Sequence, residues 1–114
     1  MNIKNMLKGS LVSLVLLFPL LAQAESVWID VRSPAEYKVD HIQGDVFIPH
    51  TQILDKVSKL YPDPETEIHL YCRSGNRAGI AKSVLNKAGY NKVFNEGSIE
   101  DARKARGLET SKPD

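Results

Sequence analysis

Apolar residues along the chain gather in short β-branched and aromatic runs, and these alternate with stretches in which apolar positions recur every third or fourth residue. Those are the periodicities of strands and of helices packed on them. Val27-Trp28-Ile29-Asp30-Val31 is too short for a helix and predicts a buried strand. Ser33-Pro34-Ala35-Glu36 follows as a capping box: an N-cap serine, a proline at the first helical position and a glutamate three residues after the serine. The helix it starts ends by Val39 or Asp40, because Gly44 marks a turn before a second strand, Val46-Phe47-Ile48, which Pro49 stops. From Thr51 to Leu60 the apolar positions Ile53, Leu54, Val57 and Leu60 form a helical stripe, with Asp55, Lys56 and Lys59 turned outward.

A proline-punctuated loop over 61–65 leads to a third strand, Glu67-Ile68-His69-Leu70-Tyr71, which runs directly into Cys72. Ala78, Ala81, Val84, Leu85 and Ala88 continue as a helical stripe that Gly89 terminates. Asn91 to Asn95 predicts a fourth, shorter strand, closed by a turn at Glu96-Gly97, and Ser98-Ile99-Glu100-Asp101 is another serine-capped helix start. Residues 103–114 are charged with little apolar surface, so a last helix and a frayed tail are expected there. Strands alternating with helices place the chain in the α/β class, as one small domain with a mostly parallel sheet flanked by helices. Four strands are legible in it.

The first residues follow another logic. Lys4 and Lys8 precede an uncharged apolar run from Leu11 to Leu21, and Ala22-Gln23-Ala24 closes it. That order of basic, apolar and small-residue regions predicts a signal peptide over 1–24, cleaved to leave 25–114 and an exported, periplasmic protein. The apolar run is well short of the ~20 residues that span a bilayer, so no stable membrane anchor is expected after cleavage. Removing Lys4 and Lys8 lowers the basic count from 15 to 13 against 14 acidic residues, and the formal net charge moves from +1 to −1. This balance gives no reason to expect a nucleic-acid partner. With no feature demanding an oligomer, a monomer is the default.

The single cysteine now matters more. One thiol in an exported chain cannot form an internal disulfide, so Cys72 is a buried core residue, a route to a covalent dimer, or a reactive group. It stands at the carboxyl end of a predicted strand, where ligands collect in α/β sheets. The residues after it, Arg73-Ser74-Gly75-Asn76-Arg77, are polar, and Gly75 lets the backbone curl and aim several N–H groups at one point. The following helix adds its N-terminal dipole. Together with Arg73 and Arg77 this loop favours negative charge on sulfur, a feature that an inert core position does not need.

Cys72-Arg73-Ser74-Gly75-Asn76-Arg77 resembles the six-residue active-site loop, C-x-x-G-x-R, of the rhodanese-domain sulfurtransferases. The segment from Asp30 to Tyr37, followed by His41-Ile42-Gln43-Gly44 and Ile48-Pro49, resembles the other characteristic rhodanese segment in order and spacing. A leader before a lone minimal domain resembles the exported type of the family. Asp45 and Phe47 depart from the family's small residue and asparagine, and Ser98 stands where a second glycine often follows Gly97. The resemblance implies a sheet of four to five strands, no cofactor, and a Cys72 thiolate that takes sulfur from thiosulfate or a similar small-molecule donor. A thiophilic acceptor such as cyanide or a thiol then removes it. It also implies that the backbone of 73–77 cradles the persulfide, that Arg73 attracts an anionic donor, and that Arg77 braces the loop against a carboxylate. Ser74 either hydrogen-bonds the sulfur or fixes the turn.

Asp30, Arg32 and Glu36 are expected as one ionic cluster supporting the loop, and Ser33 as a cap; the family resemblance implies that Arg32 is the member of the cluster that contributes near the active site. His41, His50 and His69 lack metal-ligand spacing, so no metal site is expected. A Cys-His dyad with His69 is disfavoured, because an odd offset on a strand sends the two side chains to opposite faces. A phosphatase or arsenate reductase would use a related cysteine loop, but phosphatases of this fold carry C-x-x-x-x-x-R, and here four residues separate Cys72 from Arg77. A non-catalytic binding module would not need a thiolate-stabilising loop, and disulfide exchange would lack a resolving cysteine.

Overall fold

The computed structural model describes residues 25–108. The expected signal peptide and the end of the charged tail lie outside the described residues. Strands β1 (Ser26–Asp30), β2 (Val46–Phe47), β3 (Glu67–Cys72) and β4 (Lys92–Ser98) form one sheet in the order β2-β1-β3-β4, with every pairing parallel. These four are the strands of the described residues. Helices α1 (Pro34–Val39), α2 (Ile53–Leu60), α3 (Asn76–Lys87) and α4 (Ile99–Ala105) connect and flank them, and a single 3₁₀ turn over His50–Gln52 precedes α2.

Period-two alternation along β3 divides the core. Ile68, Leu70 and Cys72 face one side with Ile29 and Val31, where Ile53 and Val57 of α2 and Ala78, Ala81 and Leu85 of α3 pack. Tyr71 faces the other side, where Ile42 and the α4 residues Ile99 and Ala102 cover it, with Trp28 at the margin. Register pairs Asp30 with Tyr71, so the carboxyl ends of β1 and β3 lie side by side. Cys72 ends β3 at that edge.

Several details differ from the sequence pattern. In α2 only Ile53 and Val57 are buried, whereas Leu54 and Leu60 are 42% and 56% exposed. The packed stripe is one i,i+4 pair, and partly buried Tyr61, whose carbonyl accepts the Tyr90 hydroxyl at 2.8 Å, takes over at the end of the helix. Ala88 is exposed. The fourth strand is longer than predicted and absorbs Glu96-Gly97, because the register slips between Leu70–Asn95 and Cys72–Ser98, a bulge on β4. Gly97 sits in this bulge at φ +87°, and a Cβ there would stand 2.6 Å from the Asp101 carboxylate that caps α4.

The charged end of the chain is also more integrated than its composition suggested. Arg103 is 4% exposed and makes a bidentate pair with Asp40 at 2.8 and 3.1 Å. Arg106 pairs with both oxygens of Asp45 at 2.7 and 2.9 Å and lies 4.3 Å over the Trp28 ring. Asp45 also accepts the Tyr71 hydroxyl at 2.6 Å, and burial followed by this carboxylate raises the Tyr71 hydroxyl far above its ordinary value. The departures at Asp45 and Phe47 thus have packing reasons, since Phe47 stacks on Tyr37 at 4.4 Å. Arg106→Ala should cost about 2 kcal/mol, because it leaves a nearly buried carboxylate with one donor. Chemical denaturation would read this as a lower midpoint at unchanged m-value. A midpoint indistinguishable from wild type would contradict it.

Candidate active site

Cys72 is delivered by the end of β3, and its sulfur points into the α2/α3 side of the sheet with no exposed surface. The chain then turns through Arg73, Ser74 and Gly75 and enters α3 at Asn76. Gly75 is the N-cap of α3 at φ +93°, a conformation that lets its N–H fold back and donate to Cys72 Sγ at 2.9 Å. The N–H groups of the first helical turn have no intrahelical carbonyls to bind. The sequence thus forms a backbone curl around the sulfur, closed by one amide.

The curl is held from two sides. On the β4 side, Asn95 Nδ2 donates to the Gly75 carbonyl at 2.9 Å and its Oδ1 accepts from Gly97 N–H at 2.9 Å, which ties the cysteine loop to the bulge. The Cβ position of Gly75 is 3.4 Å from Gly97 Cα. Asn95 escaped the sequence reading because its role depends on a bulge that looks like an ordinary turn. Gly75→Ala should destabilise the fold by roughly 1–2 kcal/mol, the cost of a left-handed non-glycine residue, readable by thermal unfolding. No loss of stability would argue against this loop conformation.

On the β1 side, Arg77 Nη1 and Nη2 donate to the two oxygens of Glu36 at 2.6 and 2.9 Å. Glu36 is also the N3 residue of the α1 capping box, accepting from Ser33 N–H at 3.0 Å and the Ser33 hydroxyl at 2.9 Å. The Arg77 guanidinium, opposed by burial and seconded by Ser33, lowers the Glu36 carboxyl to about 2. Arg77 is raised in turn, first by its hydrogen bond to Glu36 and, among smaller contributions, by charge on Cys72. One short helix therefore anchors the loop of another, and the anchor survives all ordinary pH.

The expected cluster of Asp30, Arg32 and Glu36 separates into two devices. Arg32 donates to buried Asp30 through Nε at 3.0 Å and Nη2 at 2.8 Å, and its Nη2 also reaches the Asp40 carbonyl. This pair fixes the segment after β1, while Glu36 alone reaches the cysteine loop. Arg73, Ser74 and Asn76 are exposed. Among the described residues no hydrogen bond joins the Ser74 hydroxyl to the sulfur. Arg73 rims a cleft of about 260 Å³ with Arg32, Glu36, Val39, Asp40, Ile99 and Glu100.

His69 lies on the opposite face, as its odd offset requires. It is stacked between Trp28 at 4.4 Å and Phe94 at 5.2 Å, with Nδ1 2.6 Å from Glu96 and Nε2 2.9 Å from Glu67. Both ring nitrogens are thus engaged away from the sulfur, and His69 forms no dyad with Cys72. A cysteine sulfur under a backbone N–H, at the junction of a parallel strand and a helix and beside a braced arginine, is arranged to hold an anion on sulfur. Burial by itself would suit an inert core thiol as well. The amide pointed at Sγ and the polar loop distinguish the two.

The Rhodanese-like domain family matches residues 19–105. The thiosulfate sulfurtransferase PspE of Escherichia coli is 36% identical over 96 residues, covering 84% of this chain and 92% of the relative. A solved structure of a rhodanese with anions from E. coli superposes with a TM-score of 0.63 at 36% identity, over 67% of this chain and 89% of that one. The tRNA uridine(34) hydroxylase of an Enterobacter species is 32% identical over 76% of this chain, which corresponds to only 27% of the hydroxylase.

Proposed function

The chain belongs to the rhodanese-like domain family, and we propose that it is a thiosulfate sulfurtransferase that carries sulfur on Cys72. The observation that carries this reading is the Gly75 N–H donated to Cys72 Sγ inside a loop of rhodanese length. In the first half-reaction the Cys72 thiolate attacks the outer sulfur of thiosulfate, a new S–S bond forms, the original one breaks, and sulfite leaves with the electron pair. The product is a Cys72 persulfide anion. In the second, an acceptor such as cyanide or a thiolate attacks the outer persulfide sulfur, and the Cys72 thiolate is regenerated as the leaving group. Charge is conserved in both steps, and no cofactor is called for.

The outer sulfur of the persulfide extends into the curl of residues 73–77. A backbone donor preorganised for such an anion is worth on the order of 3 kcal/mol, as in an oxyanion hole, whereas an exposed arginine contributes at most ~1 kcal/mol. The loop backbone therefore supplies most of the stabilisation, with Gly75 the amide already in place and Ser74 and Asn76 contributing chain geometry. Arg73 draws an anionic donor to the mouth. Arg77 keeps the loop in shape through Glu36, and Asp30 with Arg32 steadies the wall next to it.

A loop with four residues between cysteine and arginine favours a single sulfur over the tetrahedral phosphoryl group of a phosphatase. The hydroxylase relatives share little beyond this one module, so their reaction is not carried over. The leader-like residues before position 25 support an exported, periplasmic enzyme. Steady-state assays with thiosulfate and cyanide should give thiocyanate and sulfite with parallel double-reciprocal lines, the mark of a covalent intermediate. Cys72-dependent hydrolysis of p-nitrophenyl phosphate without sulfite release would overturn the proposal.

A further inference from the structure

The cleft beside the cysteine loop is lined by five charged residues and two apolar ones. Three of the charges are already neutralised within the protein: Arg32 by Asp30, Glu36 by Arg77 and Asp40 by Arg103. Arg73 and Glu100 remain, both exposed and with no ion pair among the described residues. Val39, 83% exposed, and Ile99 supply the apolar surface of the cleft. The free chemistry of the cleft is therefore one cation, one anion and a short apolar wall.

We infer that this cleft is the acceptor subsite and that Glu100 makes it select a small zwitterionic thiol of cysteine type over a purely anionic one. The inference rests on the sulfurtransferase reading of Cys72. Arg73 takes the acceptor's carboxylate, Glu100 its ammonium, and the methylene carrying the thiol passes along Val39 and Ile99 toward the loop. Thiosulfate has no cationic group, so its binding draws on Arg73 and the loop amides only. In the transfer, the acceptor thiolate bonds to the outer sulfur of the Cys72 persulfide, the S–S bond to Cys72 breaks, and the Cys72 thiolate leaves with the electron pair. The acceptor departs as its persulfide anion, with Glu100 at no point exchanging a proton.

L-Cysteine and 3-mercaptopropionate test this well, because they share a carbon skeleton, a carboxylate and a thiol and differ in the α-ammonium. The protein is loaded with thiosulfate, freed of excess donor and mixed with each thiol, and the discharge rate per concentration of thiol is measured. The two thiols differ in intrinsic reactivity, so the quantity that matters is how the cysteine-to-mercaptopropionate ratio changes between variants. Glu100→Gln should lower this ratio about fivefold, the range of one exposed ion pair, and Glu100→Lys should lower it further. Glu100→Asp should largely keep the wild-type ratio. A ratio within twofold of wild type in both Glu100→Gln and Glu100→Lys, with normal loading, overturns the inference and leaves the sulfurtransferase reading standing. Failure of wild-type protein to load sulfur at all overturns both.

Discussion

Cys72→Ser should abolish thiocyanate formation from thiosulfate and cyanide, with residual activity at least about a thousandfold below wild type, as expected when the only nucleophile of a covalent mechanism is removed. The substitution is nearly isosteric, and the hydroxyl inherits the Gly75 N–H that now meets the sulfur at 2.9 Å. Stability should therefore change little, and the loss can be assigned to chemistry. Cys72→Ala would be less clean, since it removes a buried atom from the core formed with Ala78 and Leu70. Retention of more than a few per cent of activity in Cys72→Ser would place the sulfur-carrying group elsewhere.

Glu36→Ala should slow persulfide formation roughly a hundredfold without touching any reacting atom, because small displacements of a positioned group carry penalties of that size. The substitution removes both hydrogen bonds that hold Arg77 and the side-chain half of the α1 capping box. Glu36→Gln, which keeps the shape and one acceptor, should fall between the two. The same contact has a pH signature. The Glu36 carboxyl lies at about 2 in the folded protein against an ordinary value of 4.5, so its contribution to stability is fully present above 4.5 and is lost as pH falls through 2. Acid unfolding of wild type should show a proton uptake in that interval that Glu36→Ala lacks. An unchanged rate of persulfide formation in Glu36→Ala would show that the brace is dispensable.

The two functional halves of this brace were unequally visible in the sequence. Ser33 and Glu36 announce a helix start because a capping box is local, with its partners three residues apart. The Glu36–Arg77 pair spans 41 positions, and only a general need for a carboxylate near Arg77 could be read. Cys72 was legible for the opposite reason: a lone thiol in a polar glycine loop between a strand and a helix has its chemistry written in contiguous residues. The α/β class and the existence of four strands also follow from local periodicity.

What stayed hidden depends on contacts between distant segments. Arg103 and Arg106 read as a solvated charged end, yet Asp40 and Asp45 meet them from more than 60 positions away. Leu54 reads as core by spacing, but periodicity gives the direction of a side chain and not the extent of the surface facing it. Glu96-Gly97 reads as a turn because glycine favours one. In the fold that glycine serves a bulge, which places Asn95 against the cysteine loop and frees Ser98 to cap α4.

The central claim is that Cys72 becomes a persulfide, and intact-mass spectrometry with peptide mapping tests it directly. Protein incubated with thiosulfate and freed of excess donor should be heavier by one sulfur atom, ~32 Da, located on the peptide that contains Cys72 and removed by cyanide. Absence of the added mass, or its persistence in Cys72→Ser, would contradict the account.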